Sequence, residues 1–171
     1  MAIDRHQTEI CGNRLALGAS GNLLLNTSGR AAPQVQSGLI PHLMGKSIPT
    51  EVAISAAAGA TNVCNVSFQL GDMSGAAVAT PGIFEIWLSD AATGAGLTAT
   101  TATGGIAAVA TFGIVWSIQT AAKALRVQAN ASGLFKLAIT DTGKTAFYPC
   151  AVNLMTGLVV VGTQLVTANY G

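Results

Sequence analysis

Apolar and polar residues alternate in short segments from residue 62 onward, and this alternation leaves few folds open to the chain. The clearest segment, residues 62–70, places Cys64, Val66, Phe68 and Leu70 on one face of an extended backbone. A period of two residues is that of a β-strand with one buried face. No stretch of comparable length holds the 3.6-residue period of a helix. The alternation therefore predicts an all-β domain.

Further strand-like segments follow at residues 83–88, 111–120, 124–129, 134–140, 146–154 and 158–167. The intervening sequence Asn130-Ala131-Ser132-Gly133 has the composition of a hairpin, because Asn and Gly tolerate the positive φ that such turns require. About seven or eight short strands at this spacing predict an antiparallel β-sandwich over residues 51–171. Residues 95–105 are almost wholly Ala, Thr and Gly. We expect them to form an exposed loop that holds no core position.

Residues 1–50 differ from the rest of the chain. Four of the eight Lys and Arg residues and both His residues lie there, among Gly and Pro. No stretch keeps a regular period, so we expect an extended N-terminal arm with at most one strand or a short helical turn. An arm without its own core gains stability only by burying apolar residues on a partner. The residues predicted to contact that partner are Leu15, Leu17, Leu23, Leu24, Leu25, Leu39, Ile40 and Leu43.

Composition indicates that part of the surface faces other protein instead of water. Half of the residues are hydrophobic and only 9% are charged, against about 25% charged in ordinary soluble domains. A membrane helix needs about 20 consecutive apolar residues, and every apolar run here is interrupted, so we expect no membrane partner. No signal peptide is recognisable. Disordered chains are poor in apolar residues, which leaves a subunit of a larger assembly.

Nucleic-acid, metal and cofactor sites are not predicted. The net charge is +1 and Lys and Arg form no run, so the field that attracts nucleic acid is missing. His6 and His42 are far apart and lack other ligands at metal-binding spacing. Cys11, Cys64 and Cys150 are odd in number and widely separated, which predicts small apolar fillers in a reducing cytoplasm. A bridge between Cys64 and Cys150 is left open.

Two fragments imitate catalytic motifs without completing them. Residues 44–47 (MGKS) end like a phosphate-binding loop, but Ile40 stands where that loop needs Gly. Residues 141–143 (DTG) resemble the aspartic-protease triplet, in which two such loops share a proton between paired carboxylates. Lys144 occupies the place of a small residue in that family, and a polar hairpin turn explains the triplet. We therefore predict no catalytic residue and no enzyme activity.

Three segments carry a resemblance to a known group of proteins. They are FEIWLSDAATG at residues 84–94, KALRVQANASG at residues 123–133 and LAITDTGKT at residues 137–145. With these segments, residues 63–171 resemble the immunoglobulin-like domains of small virion proteins of tailed phages and prophages. The resemblance implies an immunoglobulin-like sandwich with a structural role on a virion and no catalytic residues. The first 50 residues fall outside it.

The arm and the sandwich together favour a capsid decoration protein located on the virion after assembly in the host cytoplasm. Its partners would be the major capsid protein or other virion subunits, and copies of itself, with a trimer favoured. A tail, baseplate or fibre-attachment subunit is the alternative. A carbohydrate-binding or host-surface-binding sandwich is a further alternative. Its candidate contact residues are the aromatic side chains Trp87, Trp116, Tyr148 and Tyr170.

Overall fold

The computed structural model describes residues 49–171 and, before them, the backbone of residues 8–10, 13–17, 23–26 and 34–35. The chain divides into two compact units, Met1–Ile48 and Pro49–Gly171. The sequence predicts this boundary between residues 50 and 51.

Four short strands pair in the first unit as an antiparallel sheet in chain order. They are β1 (Thr8–Ile10), β2 (Asn13–Leu17), β3 (Leu23–Asn26) and β4 (Gln34–Val35). The sequence predicts at most one strand here. The difference arises because β1 and β4 have only three and two residues, and three consecutive leucines hide the period of two in β3.

The residues predicted to contact a partner divide between β2, β3 and the rest of the first unit. Leu15 and Leu17 lie on β2, opposite Leu25 and Leu23 of β3, and Leu24 lies between them on β3. Leu39, Ile40 and Leu43 lie outside the described residues. Contact of these eight residues with a partner stays a prediction.

Nine strands form the second unit, and the predicted antiparallel β-sandwich is confirmed. They are β5 (Glu51–Ala58), β6 (Val63–Gly71), β7 (Ile83–Ser89), β8 (Ile106–Ala108), β9 (Ile114–Thr120), β10 (Ala124–Gln128), β11 (Leu134–Thr140), β12 (Tyr148–Asn153) and β13 (Val159–Val161). One sheet has the order β5-β6-β11-β8 and the other the order β13-β12-β7-β10-β9. Within residues 49–171 the helical structure is a single 3-10 turn at Thr167–Asn169.

The order of the strands follows the immunoglobulin pattern. One sheet of that pattern, A-B-E-D, corresponds to β5-β6-β11-β8, and three strands of the other, G-F-C, correspond to β13-β12-β7. Two further strands extend the sheet beyond C, as in variable-type domains. The path of the chain differs, because β8 precedes β9 and β10 here. After β7 the chain therefore crosses to the four-stranded sheet to form β8. It then returns to the five-stranded sheet, where β9 and β10 complete the edge beside β7.

The core lies between the two sheets and follows the alternation of the sequence. Buried and half-buried residues alternate along β6, β7 and β11. Phe68, Phe84 and Phe135 are fully buried, with ring centroids 6.1 to 6.3 Å apart. Phe68 and Phe135 belong to one sheet and Phe84 to the other, so these rings join the two layers. Aromatic pairs at such distances contribute about 0.5–1.5 kcal/mol beyond their buried area.

The alternation of the sequence does not predict two of the strands, β5 and β8, or the core residue Ala102. The second half of β5 consists of small residues, which hides its alternation, and β8 has only three residues. The prediction that residues 95–105 hold no core position is wrong. Ala102 is 4% exposed and packs in the core, and Thr98 is also buried.

Candidate protein interaction surface

Strand β9 forms one edge of the five-stranded sheet and is hydrogen-bonded to a single neighbour, β10. All seven of its residues are exposed. The exposed fractions of Ile114, Trp116 and Ile118 are 57%, 58% and 67%. The sequence of β9 is as apolar as that of a core strand, yet none of its side chains is buried. We call this strand and its side chains the β9 edge.

Irregular pairing places apolar side chains on both faces of the β9 edge. The register with β10 shifts twice, so that Trp116 and Gln119 are extra residues without partners on β10. Val115 lies opposite Val127, which is buried between the sheets, and therefore points to the inner face. Trp116 points to the outer face, where its Nε1 donates a hydrogen bond to Gln128 Oε1 at 2.8 Å.

The inner face of the β9 edge has little cover from the opposite sheet. At the far side of the sandwich, β5 packs against β12 and β13. In the four-stranded sheet β5-β6-β11-β8, the edge strand opposite β5 is β8, which therefore lies on the same side of the sandwich as β9. Strand β8 is only three residues long and can cover little of β9. Val115 and Ile118 consequently remain 37% and 67% exposed although they point inward.

A groove adjoins the outer face of the β9 edge. It has a volume of about 550 Å³, and Trp116, Arg126 and Gln128 line it together with the loop after β12. In that loop Leu154 and Met155 are 45% and 69% exposed. A second depression of about 360 Å³ shares Gln128 with the groove and reaches Ile114. Apolar surface therefore continues from the strand into the groove.

The charged side chains beside the groove pair with each other. Arg126 donates to Glu85 Oε1 from Nε at 2.9 Å and from Nη2 at 2.5 Å. Gln119 Nε2 donates to the same carboxylate oxygen at 3.4 Å. Residues 91–122, which include all of β9, contain no Lys, Arg, Asp, Glu or His. The β9 edge thus presents a nearly neutral surface.

Asp141, the carboxylate of the protease-like triplet, is a buried loop anchor in the structure. Its Oδ1 accepts hydrogen bonds from the backbone N–H and the hydroxyl of Thr103, at 3.1 and 3.0 Å. Its Oδ2 accepts from the Thr145 backbone N–H at 2.7 Å. Burial alone would raise the pKa of Asp141, but the hydrogen bonds from Thr145 and Thr103 outweigh it and lower the pKa to about 2. The carboxylate ties the loop before β8 to the turn after β11.

The described cysteines are unpaired. Cys64 and Cys150 are free and fully buried, as expected for apolar fillers, and the bridge between them that the sequence left open is not formed. Burial raises the pKa of each thiol to about 11. Cys11 lies outside the described residues, as do His6 and His42. Among the side chains of residues 49–171, no group of three or more His, Cys, Asp or Glu is placed to hold a metal ion.

The aromatic candidates for a sugar site differ in exposure. Tyr170 is 3% exposed, and its hydroxyl donates to the Thr145 carbonyl at 2.7 Å. Trp87 and Tyr148 are half-buried. The indole N–H of Trp87 donates to the Gly94 carbonyl at 3.0 Å. Trp116 alone among these four presents most of its side chain to solvent.

Sequence reasoning missed the β9 edge because the alternation of Ile114, Trp116 and Ile118 is that of a buried face. The signal that was present is the lack of charge in residues 91–122. In the part of the chain that the structure describes, no helix has the length and apolarity that a bilayer crossing requires. Comparison with protein-family models, with curated proteins and with solved structures gave no match to this chain.

Proposed function

We propose that this chain is a structural subunit of a phage virion, and specifically a capsid decoration protein that binds the head surface and stabilises it. The observation that carries the proposal is the β9 edge, an apolar strand exposed on both faces at the end of a well-packed sandwich. Sheet edges of this kind usually bind another polypeptide, since soluble proteins otherwise protect them with charge or proline.

The resemblance to virion proteins supports the same proposal from other residues. The similar segments fall on β7, on β10 with its hairpin, and on β11 with the turn that follows. The hairpin is built as the sequence predicts: Asn130 Oδ1 accepts hydrogen bonds from the backbone N–H groups of Ser132 and Leu134, and Gly133 has a φ of +72°. The three segments supply strands to both sheets, and the β9 edge pairs with β10, which lies in the segment of residues 123–133.

The proposed mechanism is multivalent packing. The sandwich associates with copies of itself, with a trimer favoured, and the first unit of each copy contacts the major capsid protein through the eight predicted residues. Several weak contacts on one oligomer act at high effective concentration, so the oligomer binds far more tightly than one chain. The protein stabilises the head by bridging neighbouring capsid subunits.

Binding to purified particles tests this proposal. The full chain is mixed with empty heads of the encoding phage, and bound protein is measured by co-sedimentation and located by immunogold electron microscopy. Regularly spaced label on heads is the expected result. Label on tails with none on heads would instead support the alternative, a tail, baseplate or fibre-attachment subunit. No label on any particle would contradict a virion role.

A carbohydrate-binding role is the second candidate, and one observation favours it. Trp116 holds an exposed indole beside a groove, and its bond to Gln128 fixes the orientation of the ring. An exposed aromatic face beside polar groups suits the apolar face and hydroxyls of a sugar ring. A glycan array with wild type and Trp116→Ala tests this role. Signal that disappears in the variant supports it, and an empty array removes it.

A further inference from the structure

We propose that the β9 edge is the surface on which this chain binds a second copy of itself, with β9 of one copy antiparallel to β9 of the other. The inference rests on the proposed function, since a decoration oligomer requires a self-contact. Because this contact is two-fold, it gives a dimer, whereas the sequence favours a trimer. The two five-stranded sheets would join into one sheet of ten strands across a two-fold axis.

The four edges of the sandwich differ in their suitability for such pairing. The edge strands β8 and β13 have three residues each, and short edges are one means by which proteins prevent pairing. The third edge, β5, carries Glu51 and is packed against β12 and β13. Only β9 among these four combines seven residues with large exposed apolar side chains.

The usual protections of an edge strand are weak on β9. It carries no charge and no proline. Its two register shifts would ordinarily discourage a further strand. Here they place Trp116 on the outer face and leave Val115 and Ile118 on the inner face, which increases the apolar area that a neighbour can cover.

A second copy fits this surface because β9 is complementary to itself. Ser117 is the midpoint of Ile114–Thr120, so an antiparallel alignment centred on Ser117 overlaps all seven residues. Trp116 of each copy then lies on the outer face of the joined sheet and Ile118 on the inner face, so each copy covers apolar surface of the other on both faces. No like charges meet across the contact, since residues 91–122 are uncharged in both copies. An acidic or basic partner strand would find no charge on β9 to pair with.

The mass of the full chain in solution, measured by sedimentation velocity over a wide concentration range, tests the contact. Wild type is expected to associate, and Ile118→Lys is expected to weaken association roughly 100-fold or more, because each interface would bury two unpaired ammonium groups. The control is Val159→Lys, which alters a 48% exposed residue on the opposite edge of the same sheet. It is expected to associate like wild type.

Disulfide trapping tests the two-fold pairing itself. Ser117→Cys places two thiols opposite each other, within the Cα separation that a disulfide spans. Oxidation is expected to convert most of this variant into covalent dimer. The control, Ser74→Cys, lies in an exposed turn between β6 and β7, outside β9, and is expected to form little dimer.

Three results would overturn the inference: wild type that stays monomeric at all concentrations, association that Ile118→Lys leaves unchanged, or Ser117→Cys that forms no more dimer than its control. The first result together with binding to heads would mean that the edge serves a capsid protein, and the proposed function would stand. Dimers that bind no particle would leave the self-contact intact and refute the virion role.

Discussion

Single polar and glycine residues, more than the core, fix how the loops of this sandwich are held. Asp141 illustrates this, because its carboxylate accepts hydrogen bonds from Thr103 on one loop and from Thr145 beyond the next turn. Asp90 does the same on a smaller scale, accepting from the Thr98 hydroxyl at 2.6 Å and from the Ala99 N–H at 2.7 Å. Both residues hold long connections in place without any strand pairing.

Asp141 should make stability depend on pH in the acidic range. Its pKa is about 2 in the folded protein and 3.8 ordinarily, so its stabilisation is complete above pH 3.8 and is lost as the pH falls towards 2. A shift of this size corresponds to about 2 kcal/mol. Asp141→Asn should flatten the fall in unfolding free energy over this range and cost about 1–3 kcal/mol at neutral pH.

Urea unfolding of both proteins between pH 5 and about 2 measures this effect. Asp90 contributes in the same direction in wild type and variant, since hydrogen bonds from Thr98 and Ala99 lower its pKa as well. The difference between the two curves therefore reports Asp141 alone. Identical pH dependence would show that folding does not change the pKa of Asp141. Unchanged assembly of Asp141→Asn would agree with a purely structural role.

Gly133 is required by both conformation and space. Its φ is +72°, and a Cβ at this position would lie 1.9 Å from the Val78 carbonyl oxygen. Gly96 provides the matched control, because its φ is +69° and a Cβ added there would have no atom within 4 Å. Gly96→Ala should cost about 1 kcal/mol for the left-handed conformation alone. Gly133→Ala should cost about 3 kcal/mol or more in thermal unfolding, and equal costs would contradict the steric argument.

At the scale of elements, the sequence predicts strands well where one face is continuously buried. β6, β7 and β11 lie within a residue or two of their predicted limits. β5 and β8 were missed because alanines and short length remove the contrast between faces. The candidate surface could not be predicted, since exposure of β9 depends on the register shifts at Trp116 and Gln119 and on the short strand opposite. Neither follows from local alternation.

The contrast between β9 and a core strand can be measured directly. Ile118 is 67% exposed on β9, whereas Ile139 on β11 is fully buried. Ile139→Ala should lower the unfolding free energy by about 2–5 kcal/mol. Ile118→Ala should change it by no more than about 0.5 kcal/mol when measured at a concentration where the chain is monomeric. A large loss in the Ile118 variant of the monomer would mean that β9 is packed within its own chain.

At the scale of the whole molecule, the two units are expected to have separate tasks. Residues 49–171 contain their own core, so removal of residues 1–45 should leave the unfolding temperature of the sandwich nearly unchanged. The same deletion should abolish binding to empty heads, because it removes all eight residues predicted to contact the capsid. Co-sedimentation of the shortened and full chains with heads measures this. Undiminished binding would end the arm version of the decoration proposal.

The first and last residues of the sandwich unit, Pro49 and Gly171, lie at opposite ends of strand β5, and this arrangement determines how the unit would resist a pulling force. Pro49, held by Asn153 Nδ2 at 2.9 Å, immediately precedes β5, while the backbone of Gly171 bonds to Asn62 and Val63, just past the far end of that strand. Tension between Pro49 and Gly171 would therefore pull β5 lengthwise along β6. All eight residue pairs from Glu51–Gly71 to Ala58–Cys64 would resist the force together instead of opening one after another.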